Sequence, residues 1–176
     1  ALLIASGASL MLQMALYTLP IPPSPNLPNM KAVYLYPATC YFEATPVSLG
    51  RGTSLPFQVY GHPNMTGYDY SFTPKSVPGA KNPPQLNKLC HGVNLSNMSD
   101  EEIWKRGVDL SYVIDAYKNL NIGDHFFRPF FELLVGTDYV RKMIIEGKSA
   151  EEIKNRWKGD VEKFKEQRKP YLLYQE

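Results

Sequence analysis

Between Tyr34 and Pro63 the chain carries one carboxylate, Glu43, one cation, Arg51, and one imidazole, His62, set among aromatics, prolines, glycines and small hydroxyls. Glu43 stands in CYFEATPVS, among apolar neighbours. Desolvation disfavours the charged form of a carboxylate, and a carboxylate so placed is a candidate general acid. Arg51 lies in GRGT, where two glycines permit positive φ and close backbone approach. A guanidinium on such a turn can offer a fork of donors to an anionic group of a substrate. The same two residues can instead pair with each other and pin the turn. Residue types and spacing leave both readings open.

Other chemistries find no support. No CxxC pair, HExxH, P-loop, GxGxxG or GxSxG occurs. His62, His91 and His125 show no metal-ligand spacing, so neither a metal nor a cofactor is expected. A net charge of +2 provides no basic footprint for nucleic acid. Cys40 and Cys90 could form one disulfide, which would favour an exported protein; two buried thiols would say nothing about compartment.

The elements that must hold these residues divide the chain by composition. From Leu19 to Pro84 prolines are dense. LPIPPSPNLPN reads as an extended strap, because proline lacks the amide donor and restricts its predecessor. KAVYLYP, β-branched and aromatic and closed by Pro37, reads as a strand. LPFQVYG (Leu55 to Gly61) reads as a second, with GRGT the turn between them. The segment from Gly67 to Leu95 reads as loop with one or two short strands. Beyond about Ser99 the pattern is helical. Ser99 with Glu102, and Ser149 with Glu152, fit capping boxes. LSYVIDAYKNL places Leu110, Val113, Ile114 and Tyr117 at helical spacing. GTDYVRKMIIEGK reads as another helix, and SAEEIKNRWKGDVEKFKEQR as a third with Ile153, Trp157, Val161 and Phe164 on one face. Pro170 ends it, and YLLY follows as an extended tail. The expected fold class is α+β: short strands and long proline-rich loops in the first half, packed against a C-terminal helical layer.

The bulk numbers fit that picture. The 176 residues suffice for one domain with a core, and 44% apolar with 20% charged residues is ordinary for a globular chain. The start, ALLIASGASLMLQMALYTLP, is apolar but lacks a basic region and is short for a spanning helix. It reads as a cut end of a longer chain or as a poorly specified arm, with a residual export signal as the alternative.

LPIPPSPNLPN followed by YLYPATCYFEATPVSLGRGTSLPFQVYGHP resembles the NamZ-like exo-β-N-acetylmuramidases. YSFTPKS, LCHGVNL and LLVGTDYVRKMIIEGKSAEEIKNRW through RKPYLLY follow in the family's order. The resemblance runs from about Leu19 to Tyr174. It divides the chain into a non-matching apolar arm, residues 1–18, and the family's C-terminal domain, residues 19–176, without the N-terminal Rossmann-like half. It implies part of a peptidoglycan-degrading glycoside hydrolase that releases N-acetylmuramic acid from non-reducing ends, in a periplasmic or secreted bacterial setting. This chain would form one wall of the cleft and be inactive alone. The implied partners are MurNAc-containing glycans and the missing half, with no nucleic acid and no membrane span.

The family motif falls on Glu43, Thr45, Ser48, Gly50, Arg51, Gly52, Thr53, Pro56 and Phe57. The resemblance implies Glu43 as a catalytic or orienting carboxylate. It implies Arg51, Ser48, Thr53, Thr45 and His62 as substrate contacts, with Arg51 toward the lactyl carboxylate. Two positions depart from the pattern. Ala44 replaces a glycine, where a required positive φ would strain the Cβ, and His91 replaces an aromatic. Glycoside hydrolysis usually needs two carboxyl groups. The motif holds one, and Asp69 is the next acid before Asp100. The second would come from the missing half or from the substrate's acetamido group. The alternative is a non-catalytic glycan-binding or auxiliary module.

Overall fold

A computed structural model of the chain describes residues 18–173. The expected apolar arm lies outside the described residues except for Thr18, as does the end of the YLLY tail. Within them the architecture is α+β, as expected: a small sheet and irregular loops with a helical second half.

The first element differs from expectation. KAVYLYP is not a strand but most of a helix, α1 (Met30–Thr39). Ala32, Leu35, Ala38 and Thr39 recur at helical spacing and are buried. Asn29 caps the helix, its side chain accepting from the Ala32 N–H at 2.9 Å. Pro37 lacks the donor for one helical bond near the C-terminal end. At the C-cap the Cys40 N–H bonds to Tyr36 O, and the chain passes into a 3₁₀ turn, Cys40–Ala44. Val33, Tyr34 and Tyr36, which suggested a strand, lie on half-buried flanks. Burial at a 3.6-residue period prevailed over strand propensity.

LPFQVYG becomes strand only near its end. β1 (Val59–His62), β2 (Tyr70–Phe72) and β3 (Cys90–Asn94) form an antiparallel sheet in the order β1-β3-β2. In the β1–β3 register Gly61 faces Gly92. The strands come so close there that a Cβ on Gly92 would lie 1.9 Å from Tyr60 O. β2 and β3 are the two short strands expected in the long loop.

The second half holds α2 (Asp100–Arg106), α3 (Ser111–Leu120), α4 (Phe131–Val135), α5 (Tyr139–Ile145) and α6 (Ala150–Arg168). The reciprocal capping box forms at Ser149/Glu152. At Ser99 only half forms. The Ser99 hydroxyl accepts from the Glu102 N–H, but the Glu102 carboxylate turns to Arg106. Among the described residues no helix is long and apolar enough to cross a membrane.

One apolar core joins α1, the 3₁₀ turn and the helices, with Leu35, Phe42, Leu49, Phe126, Phe131, Ile144 and Ile153 fully buried. The sheet is tied to it through Tyr60. Its ring stacks on Phe42 at 4.9 Å, and its hydroxyl donates to Asp115 Oδ2 on α3 at 2.8 Å. Tyr68 donates to the same oxygen at 2.7 Å. Cys40 and Cys90 are free thiols in different clusters. Cys40 belongs to the main core, and Cys90 packs with Val59 and Phe72. Burial pushes the Cys40 thiol up to about 12 and that of Cys90 to about 11.

Two glycines make opposite predictions. Gly92→Ala drives a methyl into strand backbone and should cost about 3 kcal/mol or more, at the top of the usual range for overpacking. Gly159, inside α6 with open space around it, should gain up to about 1 kcal/mol on replacement by Ala. Thermal and urea unfolding of the two variants should shift in opposite directions.

Candidate functional site

The loop between the 3₁₀ turn and β1 is shaped by backbone contacts. Ser48 and Gly61 exchange N–H···O bonds at 2.8 and 2.9 Å, laying the loop along β1 as a short extra rung. The chain then turns at Gly50 and Gly52, with φ of 81° and 82°. A Cβ on Gly50 would lie 2.5 Å from Leu55 O, and one on Gly52 2.3 Å from Lys75 O. The expected GRGT turn is thus present, and its glycines are required by conformation and by space. Lys75 N–H donates to Gly52 O at 2.9 Å, and Phe57 N–H to Leu49 O at 2.8 Å. Phe57 itself sits in the left-handed region, φ 61°, a strained conformation for a bulky residue. Its ring is buried against Tyr36 at 5.1 Å.

This frame brings Arg51 and Glu43 together. Arg51 Nη1 donates to Glu43 Oε1 at 3.1 Å. The side chains are 36% and 27% exposed. The contact is single-pointed and engages one guanidinium nitrogen, so the fork still faces partly into solvent. Ala44 carries no strain of the kind its replacement of glycine suggested. It is buried at the end of the 3₁₀ turn, outside the left-handed region, and its carbonyl accepts from Arg128 N–H at 2.9 Å.

The hydroxyls near the pair are used within the loop. Thr45 is fully buried; it donates to Phe42 O at 2.9 Å and accepts from Val47 N–H at 3.2 Å. Ser48 is fully buried, and its Oγ accepts from Gly50 N–H at 3.4 Å. Thr53 donates to Gly50 O at 2.7 Å and accepts from Leu55 N–H, but is half-buried rather than enclosed. His62 lies at the end of β1, opposite His91, and its Nδ1 accepts from Asn64 N–H at 3.1 Å. It stands on the sheet, not in the Glu43–Arg51 contact. His91 uses its Nδ1 on Ser71 Oγ at 2.8 Å.

Tyr36 is a residue of the site that sequence reasoning missed, because α1 was read as a strand. Burial raises its phenol, and the Cys40 thiol and the Glu43 carboxylate add to the shift while Arg51 opposes it. It therefore lies within electrostatic reach of the pair. With Pro37, Cys40, Tyr41, Val108, Leu133 and Leu134 it also lines a pocket of about 170 Å³. Helical spacing of Tyr36 with Ala32 and Leu35 was the available signal.

Residues 34–174 match the family described as exo-beta-N-acetylmuramidase NamZ, C-terminal, and the chain belongs to that family. Over 167 residues it is 34% identical to the peptidoglycan beta-N-acetylmuramidase NamZ of Bacillus subtilis (strain 168), a match that takes in 86% of this chain and 40% of that protein. It is also similar to a DUF1343 family protein from Bacteroides fragilis, whose crystal structure is known at 1.30 Å resolution. The two share 81% identity with a TM-score of 0.91, across 93% of this chain and 46% of that one. The chain thus spans less than half the length of either relative.

Desolvation, and then the Lys88 ammonium, hold the His62 imidazole below its ordinary value of 6.5. Just below that value the unfolded chain binds more protons than the folded one. The stability His62 contributes is therefore present above 6.5 and lost as pH falls through it. An NMR titration should place the His62 midpoint under 6.5, and a midpoint at or above 6.5 contradicts the assignment.

Proposed function

We propose that this chain is the C-terminal portion of a peptidoglycan-degrading exo-β-N-acetylmuramidase and forms one wall of its cleft, with Arg51 meeting the lactyl carboxylate of a MurNAc residue. The observation that carries this reading is the half-exposed, one-point guanidinium held on a backbone-locked turn. The rival reading makes the Glu43–Arg51 pair a pin for the turn. An ion pair this exposed is worth about 0–1 kcal/mol. The turn has its own hydrogen bonds from Ser48, Thr53, Phe57 and Lys75. It does not need the pair, which leaves Arg51 free to serve a ligand.

Glu43 then has two possible duties. As a catalytic carboxyl it would need a second group placed by the rest of a full-length protein or supplied by the substrate's acetamido group. As a wall residue it orients Arg51. Family membership supports peptidoglycan as the substrate, and a periplasmic or secreted location follows from that substrate. Taken alone, the chain should bind weakly and release nothing. The alternative, a non-catalytic glycan-binding module, shares the same wall and differs in the role of Glu43.

Calorimetry with MurNAc–GlcNAc glycans tests both. Arg51→Ala should lose about 1.5 kcal/mol or more, roughly tenfold in affinity, the worth of a hydrogen bond to a charged group. Its melting temperature should barely move. Unchanged affinity in Arg51→Ala would remove the proposed contact. Binding that survives Glu43→Gln favours the binding module. Release of MurNAc by this chain alone, abolished in Glu43→Gln, would overturn its expected silence.

A further inference from the structure

Two residues before Glu43, Tyr41 carries a hydroxyl without a use inside the fold. The residue is only 6% exposed, and its hydroxyl makes no hydrogen bond among the described residues. A buried hydroxyl left unpaired costs free energy, so native structures seldom keep one without a ligand or a water for it. Burial raises the Tyr41 phenol, which therefore keeps its proton and stays a donor. What exposure Tyr41 retains goes with the pocket it lines.

That pocket has the size of a single substituent. Its volume is about 170 Å³, and no charged side chain lines it. A drug-sized ligand needs about 300 Å³ or more, whereas a cavity of about 150 Å³ holds a group the size of benzene. The pocket is too small for a disaccharide and large enough for one arm of a sugar. Pro37, Val108 and Leu134 offer that arm an apolar wall, and Tyr41 offers it one donor. An acetamido group matches both, with a methyl for the wall and a carbonyl for the donor.

The pocket also stands next to the Glu43–Arg51 pair. Cys40 lines the pocket and Glu43 makes the pair, three residues apart in the same 3₁₀ turn. Side chains at that spacing eclipse on a 3₁₀ helix, about 6 Å apart along its axis. The turn is backed by α4, with the Phe131 ring 6.4 Å from that of Tyr41. On a muramyl ring the lactyl ether and the acetamido group leave neighbouring carbons. A wall that meets the first at Arg51 needs a place for the second at its side.

We propose that the pocket bordered by the Cys40–Ala44 turn and α4 is the subsite for the acetamido group of the muramyl residue. The Tyr41 hydroxyl donates to the acetyl carbonyl, and the methyl rests against Val108 and Leu134. The inference rests on reading the chain as a muramyl-glycan wall, and it makes Tyr41 the residue that distinguishes an N-acetylated sugar from one with a hydroxyl at that carbon.

Calorimetry on this chain tests it by comparing MurNAc–GlcNAc with the same disaccharide bearing a hydroxyl in place of the muramyl acetamido group. The analogue should bind about tenfold more weakly or worse. Tyr41→Phe should weaken MurNAc–GlcNAc about fivefold and the analogue by less than about twofold. Its melting temperature should hold, since the hydroxyl has no protein partner to lose. Leu133→Ala trims a pocket wall that is 76% exposed, so it too should shrink the preference without changing the melting temperature. Equal affinity for the two glycans overturns the proposal, as does a preference that Tyr41→Phe leaves whole. If affinity is equal and Arg51→Ala still weakens both glycans, the subsite falls and the glycan-binding wall stands. If the preference holds and Arg51→Ala changes nothing, the lactyl contact falls and the subsite stands. Failure of both glycans to bind overturns the two together.

Discussion

The site depends on the absence of two Cβ atoms. Gly50 and Gly52 turn the chain through the left-handed region where backbone from Leu55 and Lys75 leaves no room for a side chain. The residue between them is held out from the loop by contacts on either side. Arg51 therefore has its backbone fixed and its side chain half free. This is the arrangement a recognition residue needs, because the cost of ordering the loop is met during folding and not on binding. The ion pair to Glu43 is a consequence of the turn and too exposed to be its cause.

The rest of the core fixes what the turn leans on. Tyr60 stacks on Phe42, the residue before Glu43, and anchors through Asp115 to α3. Tyr68 adds a second hydroxyl to the same carboxylate. Sheet, 3₁₀ turn and helical layer therefore meet behind Glu43. Phe57, strained in the left-handed region, presses on Tyr36 and brings α1 into the same frame. Strain of this sort persists where surrounding contacts over-determine the conformation. Here those contacts are the Leu49 carbonyl and the ring contact of buried Phe57 with Tyr36.

Much of this was legible in the residues, for identifiable reasons. GRGT announced its turn because the need for positive φ is local. Ser149 and Glu152 announced the start of α6 for the same reason. α1 was misread because Val33, Tyr34 and Tyr36 have strand propensity, while its small buried residues speak only through their spacing. Thr45, Ser48 and Thr53 looked like ligand contacts, but their hydroxyls serve neighbouring backbone groups, a use that depends on three-dimensional closeness. The departure at Ala44 looked costly and is not, because the position lies in a 3₁₀ turn with ordinary dihedrals. Tyr36 reaches the site only because α1 is a helix.

The central claim is that the Arg51 turn is a preformed recognition surface for a muramyl glycan. A titration of the ¹⁵N-labelled chain with MurNAc–GlcNAc, followed by amide chemical shifts, tests it most directly. The account predicts the largest shifts at Gly50, Arg51, Gly52 and Glu43, with the β3 amides near His91 unmoved. Shifts centred on the sheet at His62 and His91, with the turn silent at saturating glycan, would contradict it.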